Sequence, residues 1–267
     1  MNIMNIAQFD PFRDFESAGY LRNIRRDKNQ ETIKIFEHNT FSSHLNQALA
    51  YLATRKVLTY EDFLEVHRIL FLDYYPWAGQ DRATVLPDAA VSKGNVLFSH
   101  PHFARRAVEY ALNLGHNKKT MTQKPGEVMG LLAFGHPFLD GNGRTMLLVH
   151  MELCHRAGFS IAWQRTNKSD YMNALTGEIE SPGNGVLDKY MLQFKDQQLP
   201  RGMWGNAILA IKGLNGIDEP NKIEGSLSDP VIAEKYRQHE SSRGYSYRIK
   251  YAIQKDRPQQ DTDTSPR

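Results

Sequence analysis

Residues 136–144 contain most of the side chains in this sequence that could perform chemistry. They read His-Pro-Phe-Leu-Asp-Gly-Asn-Gly-Arg. A histidine titrates near neutral pH, so His136 is suited to act as a general base. Asp140 supplies carboxylate oxygens, which suit Mg²⁺ when the ion is held jointly by a protein and a phosphate. A candidate base and a candidate metal ligand therefore lie within one short segment.

The same segment has the features of a phosphate cradle. Gly141 and Gly143 allow a tight turn and leave their backbone N–H groups unobstructed by a Cβ atom. A helical pattern begins at about Asn142, and a helix N-terminus offers unpaired N–H donors to an anion. Arg144 in the first turn is unfavourable on helix-dipole grounds. Its position is explained if the guanidinium clamps a phosphate.

Three alternatives compete with this interpretation. An EF-hand loop starting at Asp140 would place Arg144 at a ligand position and Met151 where a bidentate Glu is needed, so it fails. The P-loop spacing Gly-x4-Gly-Lys-Ser/Thr occurs nowhere in the sequence. A purely structural turn, with His136 packed in the core, stays open on local physics because Gly and Asn are common in turns.

Helical patterning surrounds the segment. Apolar residues recur at helical spacing in four stretches before it: 42–54, Thr59–Leu70, Pro101–Leu114 and Pro125–Phe134. A further helix follows Gly143 and stops at Gly158. Residues 79–98 break the pattern, with two short β-capable pieces around turn residues. The predicted fold class is all-α, a helical bundle with a small β-hairpin flap at about 79–98 and no other β-structure of note.

The chain divides into three predicted parts. Residues 1–194 form one domain that contains the motif and the flap. Residues 195–254 form a helical C-terminal extension, in which one helix begins at Ser228 and runs to about His239. Residues 255–267 are polar and lack aromatic side chains, which predicts a disordered tail.

Composition excludes several classes of protein. The chain has 267 residues, of which 40% are hydrophobic and 24% charged, as in ordinary globular proteins. A net charge of +3, without a clustered basic face, argues against direct nucleic-acid binding. No stretch approaches the ~18 apolar residues of a membrane span, and Cys154 alone cannot form an intrachain disulfide. We expect a cytoplasmic protein without a membrane partner, and translocation into a host cell is compatible with the sequence.

The 136–144 segment resembles the core signature of the Fic (Fido) family, His-Pro-Phe-x-Asp/Glu-Gly-Asn-Gly-Arg, at every specified position. Other segments agree with the family in order and spacing: Asp10–Phe12 with Gly19–Asn23, Trp77–Gly79 with Arg82, Ser92–Gly94 with Phe98, and Ser169–Tyr171. The resemblance covers about residues 10–194. It implies a protein adenylyltransferase (AMPylator), which moves AMP from Mg-ATP to a Tyr, Thr or Ser hydroxyl of a target protein.

The resemblance also implies roles for individual residues. His136 would remove the proton from the acceptor hydroxyl, which then attacks the α-phosphate of ATP. Asp140 would hold Mg²⁺ against the phosphates. The nucleotide phosphates would be bound by the remaining motif residues, with the Asn142 side chain donating to a phosphate oxygen: Gly141, Asn142, Gly143 and Arg144.

Two roles outside the motif follow from the same resemblance. Lys93 and Gly94 in the flap would dock the backbone of the target by strand-like pairing. Tyr171 would stack on the adenine. The alternatives are that Lys93 is an exposed turn lysine and that Tyr171 is a core aromatic residue.

The sequence departs from the family in one position that concerns the donor. Many AMP-transferring members extend the motif as Gly-Asn-Gly-Arg-x-x-Arg, and the second Arg contacts the γ-phosphate. Here Leu147 occupies that position. One cation is missing unless another residue supplies it, which favours as an alternative a Fic-fold transferase of another nucleotide or of phosphocholine. A catalytically weak binding module that keeps the fold is a third hypothesis.

The departure also concerns regulation. Family autoinhibition uses a helix of the form Ser/Thr-x-x-x-Glu-Gly/Asn, whose Glu pairs with the second Arg. Thr176 to Glu180 matches except at Ser181, and Glu224 is followed by Gly but has Pro220 at the Ser/Thr position. Neither is a convincing inhibitory helix. An unrestrained enzyme, or control by a separate antitoxin-like inhibitor, is therefore expected.

Overall fold

The structure is a computed structural model and describes residues 9–214 and 221–241. Helices dominate this part of the chain. In order, they are α1 Phe15–Ala18, α2 Gln30–Thr54, α3 Tyr60–Phe71, α4 Arg82–Val85, α5 Pro101–His116, α6 Lys118–Gln123, α7 Pro125–Gly135, α8 Asn142–Ala157, α9 Lys168–Glu180, α10 Val186–Leu192, α11 Trp204–Leu209 and α12 Pro230–Ser241. None of the helices in these ranges is long and apolar enough to cross a membrane.

Local signals explain where the helices start. Thr59 and Asp62 form a capping box at the start of α3, and α5 and α7 each begin with a proline. The bounds of α3, α5, α7 and α8 confirm the sequence-based predictions to within about two residues. The helix predicted for 42–54 is only the second half of α2, which begins after Asn29. Its buried stripe includes Glu37, and this polar residue interrupts the apolar pattern.

Two small antiparallel sheets accompany the helices. Strands β1 (Ala89–Lys93) and β2 (Val96–Leu97) form the flap hairpin, and β3 (Phe159–Ile161) pairs with β4 (Lys195–Gln197). A fifth strand, β5 (Lys222–Ser226), pairs with the other edge of β1, so the first sheet has the order β2-β1-β5.

Three sequence-based expectations need correction. Residues 79–98 do not contain the only β-structure, because β5 reaches the flap from far along the chain. The first part of the predicted flap forms the short helix α4, which Asp81 caps by accepting from Thr84 N. Within 195–254, the described residues contain β4 and β5 as well as α11 and α12, so the extension is not purely helical. The tail predicted for 255–267 lies outside the described residues.

Helix α7 lies at the centre of the fold. All but one of its eleven residues are buried, and it packs against α5, α8, α9 and α10. Helix α3 packs against α2 and α8 on the other side of the motif. The loop that joins α7 to α8 carries residues 136–141 and is therefore held between packed helices. A loop supported in this way can hold side chains in fixed positions.

Candidate active site

A cavity of about 310 Å³ opens beside the N-terminus of α8. This volume is in the range of small-molecule pockets. Eight of the nine site residues predicted from the sequence line this cavity, and the ninth, in the β1–β2 turn, does not. The lining residues from the prediction are Lys93, His136, Asp140, Gly141, Asn142, Gly143, Arg144 and Tyr171; the exception is Gly94.

His136 is held in a conformation that few side chains adopt. It follows the last turn of α7 with φ +40° and ψ +55°, and its ring stacks on Phe98 with centroids 3.5 Å apart. Its Nε2 atom is buried and has no hydrogen-bond partner in the described part of the chain. Burial, reinforced by the charges of Arg82 and Lys93, lowers the pKa of His136 well below its usual value. The ring is therefore neutral at pH 7 and can accept a proton.

Arg82 fixes the backbone around His136. Its Nε atom donates to the carbonyl of His136 at 2.8 Å, and an Nη atom donates to the carbonyl of Ser99 at 2.8 Å. Its backbone N–H donates to the carbonyl of Pro137. Burial lowers the pKa of Arg82 to about 10, so it stays charged at neutral pH. In the sequence Arg82 stood out only as part of the family resemblance, and its role is to position the loop.

His67 on α3 holds the other end of the loop. Its Nδ1 atom accepts from the N–H of Gly79 at 2.9 Å, so Nε2 carries the proton and donates to the carbonyl of Asp140 at 3.0 Å. Its ring stacks on Phe138, with centroids 3.7 Å apart, and burial lowers the pKa of His67 to about 3. Nothing in the sequence distinguishes this histidine from other residues on the buried face of α3.

Asp140 is one of two acidic residues that line the cavity in the described part of the chain, and Glu37 is the other. One oxygen of Asp140 accepts from the N–H of Gly141 at 2.7 Å, and the other accepts from the hydroxyl of Tyr20 at 3.0 Å. Burial and the charge of Asp140 raise the pKa of Tyr20, which keeps it a donor. Among the described residues, no group of three or more His, Cys, Asp or Glu could hold a metal ion. One carboxylate fits Mg²⁺ whose remaining ligands are water and substrate phosphates.

The two motif glycines have different reasons for being glycine. Gly141 has φ +77°, and an added Cβ would lie 2.7 Å from the ring of Phe71. At Gly143, by contrast, an added Cβ would meet nothing within 4 Å. Space for a ligand therefore begins at the Gly143 backbone, in the first turn of α8, where unpaired N–H groups favour an anion.

The side chain of Asn142 forms hydrogen bonds within the motif loop. The amide oxygen accepts from the N–H of Phe138 at 3.0 Å, and Nδ2 donates to the carbonyl of Phe138 at 2.8 Å. These bonds close the loop on itself and use one of the two hydrogens on Nδ2, so the expected donation from this amide to a phosphate oxygen stays a prediction. The amide gives the loop its shape.

Arg144 is already paired within the protein. Its guanidinium donates to Glu37 on α2 and lies over the ring of Phe71, 4.8 Å from the centroid. Burial raises the pKa of Glu37 to about 7, against the opposing attraction of Arg144. A phosphate that binds Arg144 must therefore displace or share this partner. The sequence did not reveal Glu37, because it lies 107 residues before Arg144.

The far side of the cavity is largely apolar. The rings of Tyr171 and Trp163 meet edge to face, with centroids 5.3 Å apart, and burial raises the pKa of Tyr171, so the phenol stays neutral. Leu147 is 6% exposed and also lines the cavity. Three lysines besides Lys93 line the cavity: Lys34, Lys168 and Lys212. An aromatic wall and several cations suit a base joined to phosphates.

The flap edge expected to dock a target is occupied by the chain itself. Strand β5 pairs with β1 up to Ser92, which lies opposite Lys222. Lys93 lies at the end of β1 and lines the cavity. Asn221, just before β5, also lines the cavity and donates to the carbonyl of Leu139 at 2.6 Å.

The fold and the site together are those of a helical protein with a cavity at a helix N-terminus, lined by a neutral histidine and by the carboxyl groups of Asp140 and Glu37. The model of the Fic/DOC family matches residues 57–154. Over this segment the chain is therefore similar to members of the Fic/DOC family.

Two curated relatives and one solved structure are also similar to this chain. The protein adenylyltransferase VbhT of Bartonella schoenbuchensis is 28% identical over 173 residues, which are 62% of this chain and 35% of VbhT. The probable protein adenylyltransferase y4lH of Sinorhizobium fredii is 26% identical over 164 residues, 58% of this chain and 81% of y4lH. The chain thus spans about a third of VbhT and about four fifths of y4lH.

The solved structure is that of BepC from Bartonella tribocorum, a VirB-translocated effector protein with bound AMPPNP. It superimposes with a TM-score of 0.52 at 14% identity, over 66% of this chain and 92% of that chain. The likeness shows that the two proteins share a fold.

Proposed function

We propose that this protein transfers AMP from Mg-ATP to a Tyr, Thr or Ser hydroxyl of another protein. The observation that carries the proposal is the buried Nε2 atom of His136, which has no hydrogen-bond partner among the described residues. It lies in the same cavity as Asp140 and the N-terminus of α8. The names of VbhT and y4lH, and the AMPPNP bound to BepC, support this donor and this class of reaction.

Different parts of the site act on the acceptor hydroxyl, on the α-phosphate and on the metal ion. Nε2 of His136 accepts the proton of the acceptor hydroxyl, whose oxygen attacks the α-phosphorus. The bond from that phosphorus to the bridging oxygen breaks, and pyrophosphate leaves. The N–H groups of the first turn of α8 stabilise the negative charge on the α-phosphate. Asp140 would hold Mg²⁺, which neutralises charge on the phosphates when it is bound.

Other residues bind the donor or hold the loop. Arg144 binds the distal phosphates when they replace Glu37. Tyr171 and Trp163 provide an aromatic wall for the base. Arg82 and His67 act as positioning residues, since both bind loop carbonyls and neither lines the cavity.

Leu147 favours a second candidate function on the same scaffold. A buried apolar side chain in the cavity wall occupies the position of the second family arginine. The site could therefore accept a donor with fewer distal charges, such as another phosphate-linked group. The lysines of the cavity wall offer an alternative source of positive charge for a triphosphate.

The test compares His136→Ala with a matched control, His102→Ala, which changes an exposed histidine outside the cavity. Each protein is incubated with labelled ATP, GTP, UTP or CTP and cell lysate, and modified proteins are identified by mass spectrometry. We expect His136→Ala to lose about 10²- to 10⁴-fold in transfer rate while it still binds ATP by calorimetry. His102→Ala should behave as wild type. Equal labelling by His136→Ala would refute its role as the base, and a preferred donor other than ATP would select the second candidate.

A further inference from the structure

The flap sheet contains a strand that comes from outside the flap. Strand β5 runs antiparallel to β1, with Ala89 opposite Ser226 at one end and Ser92 opposite Lys222 at the other. The backbone N–H of Leu227 donates to the carbonyl of Asp88 and extends the ladder by one more hydrogen bond. This edge of β1 would otherwise be open to a strand from another chain.

Side chains hold β5 in place. Ser92 on β1 donates to Glu224 on β5 at 2.5 Å, and Lys235 of α12 pairs with the other oxygen of Glu224 at 3.1 Å. Tyr236 of α12 is 4% exposed and packs with Ala90 and other apolar residues of the flap sheet. Strand β5 and helix α12 therefore form one docked unit over the flap.

The unit of β5 and α12 places one side chain beside the loop of residues 136–141. Asn221 is 8% exposed, lines the cavity, and donates to the carbonyl of Leu139. Asn221 and His136 line the same cavity, and Asn221 acts to raise the pKa of His136 against the larger effect of burial. Because side chains alternate along a strand, the next residue, Lys222, points away and is 65% exposed.

The register of β5 on β1 determines where the Asn221 side chain lies in the site. Lys222 lies opposite Ser92, so Asn221 is the first residue beyond the paired strand, and it lines the same cavity as His136. A protein acceptor must also bring a side chain to His136. A strand on the same edge of β1, in the same register, would bring its hydroxyl to this position.

We propose that residues 221–226 are a built-in pseudosubstrate, which occupies the place of the acceptor strand and fills the acceptor position with a side chain that lacks a hydroxyl. The inference rests on the proposed function. It identifies the acceptor as an extended segment that pairs with β1 and carries its hydroxyl just before the residue opposite Ser92. Transfer to a protein target requires β5 to leave that edge.

The first test gives the pseudosubstrate a hydroxyl. In Asn221→Ser and Asn221→Thr, the new oxygen attacks the α-phosphorus of ATP and its proton passes to Nε2 of His136. The bond to the bridging oxygen breaks and pyrophosphate leaves. We expect purified protein to gain the mass of one AMP group on residue 221, at a rate independent of protein concentration.

Two controls accompany this test. In Lys222→Thr the hydroxyl is moved by one residue to the opposite side of the strand, so no modification is expected there or on the native Ser226. Adding His136→Ala to Asn221→Thr should abolish the modification. Unmodified Asn221→Ser and Asn221→Thr, in folded proteins that bind ATP, would overturn the register argued above.

The second test releases the strand. Glu224→Lys removes the acceptor of Ser92 and places a third positive charge beside Lys222 and Lys235. Losing a charge-assisted hydrogen bond should shift the balance between docked and released β5 by about ten- to a hundredfold. Glu234→Lys makes the same charge change on α12, where Glu234 pairs only with Arg237 and Gln238 among the described residues.

The readouts separate this inference from the proposed function. Hydrogen exchange of residues 89–93, and labelling of other proteins by ATP, should both increase in Glu224→Lys but not in Glu234→Lys. If lysate proteins are labelled equally by wild type and Glu224→Lys, the pseudosubstrate is wrong while the proposed function stands. If every variant binds ATP and none transfers AMP to itself or to other proteins, the proposed function fails.

Discussion

Replacing Glu37 with Gln should tighten the binding of ATP. The Glu37 carboxylate holds the Arg144 guanidinium, which is the motif cation available for distal phosphates. The side chains of Glu37 and Arg144 are 9% and 13% exposed, so solvent screens the pair little. Glutamine keeps the shape and one acceptor oxygen but removes the negative charge that competes with phosphate.

The expected change in ATP affinity follows from the hydrogen bonds that Arg144 exchanges when phosphate replaces Glu37. A hydrogen bond to a charged group contributes about 1.5–3 kcal/mol. Wild type must give up one bond of this class at Arg144 to form another with phosphate, whereas Glu37→Gln gives up a weaker one. We therefore expect the dissociation constant of ATP to fall by about ten- to a hundredfold. Burial disfavours the charged form of Glu37 more than Arg144 favours it, so the neutral glutamine should not lower the melting temperature at pH 8.

The pH dependence of ATP binding provides a second test of the competition between Glu37 and phosphate. Burial raises the pKa of Glu37 to about 7, with Arg144 and Lys34 lowering it and Asp140 raising it. Competition with phosphate should therefore weaken as pH falls from 8 to 6, so ATP binds more tightly at the lower pH. Between about 4.5 and 7 the folded protein binds more protons here than the unfolded chain. Stability should fall as pH rises through that window, by on the order of 3 kcal/mol.

The assay is calorimetric titration of ATP and AMP at pH 6, 7 and 8, with melting curves at each pH. The matched control is Glu31→Gln, which removes the same charge from an exposed position on the same helix. AMP lacks distal phosphates, so its affinity should change little in Glu37→Gln. The reasoning is refuted if Glu37→Gln binds ATP no more tightly than wild type, or keeps the wild-type dependence of ATP affinity on pH.

Two further substitutions probe the donor cavity. Gly143→Ala places a methyl group in space that holds no protein atom within 4 Å, so we expect an unchanged or higher melting temperature and at least tenfold weaker ATP binding, whereas Gly177→Ala on α9 should leave ATP binding unchanged. Leu147→Arg should tighten ATP relative to AMP if position 147 faces the distal phosphates, and should destabilise the protein if the new charge stays unpaired in the wall. Titrations alongside melting curves distinguish these results, and a stable Leu147→Arg with unchanged ATP affinity would remove the main support for a donor other than ATP.

Local sequence patterns predicted most of the helical framework. Helices α3, α5 and α7 carry apolar residues at helical spacing and have clear N-terminal signals, so their bounds were readable. Strand β5 was not, because Lys-Ile-Glu-Gly-Ser has little β-propensity of its own. It is a strand because the edge of β1 pairs with it, and Ser92 and Glu224 are 132 residues apart in sequence.

The candidate site likewise has one part that could be predicted from the sequence and another part that could not. The residues of the motif are contiguous, so their combination could be recognised from sequence alone. Glu37, His67 and Arg82 come from other helices, and only the packed structure brings them to the loop. Asn142 was identified as part of the site, but its side chain had two polar groups that could face either the phosphate or the loop. Sequence cannot choose between those partners, since the choice depends on the backbone of Phe138.

Side chains of the protein itself lie in both the donor half and the acceptor half of the site. Glu37 pairs with the cation expected to bind the distal phosphates of the donor, and Asn221 fills the position expected for the acceptor. The first partner belongs to α2 in the helical body, and the second to the unit of β5 and α12 over the flap. Since no single segment carries both, a nucleotide can displace Glu37 from Arg144 while β5 stays paired with β1. Release of β5 then becomes the step that a protein target must drive, and strand pairing with β1 is the means by which the target can do so.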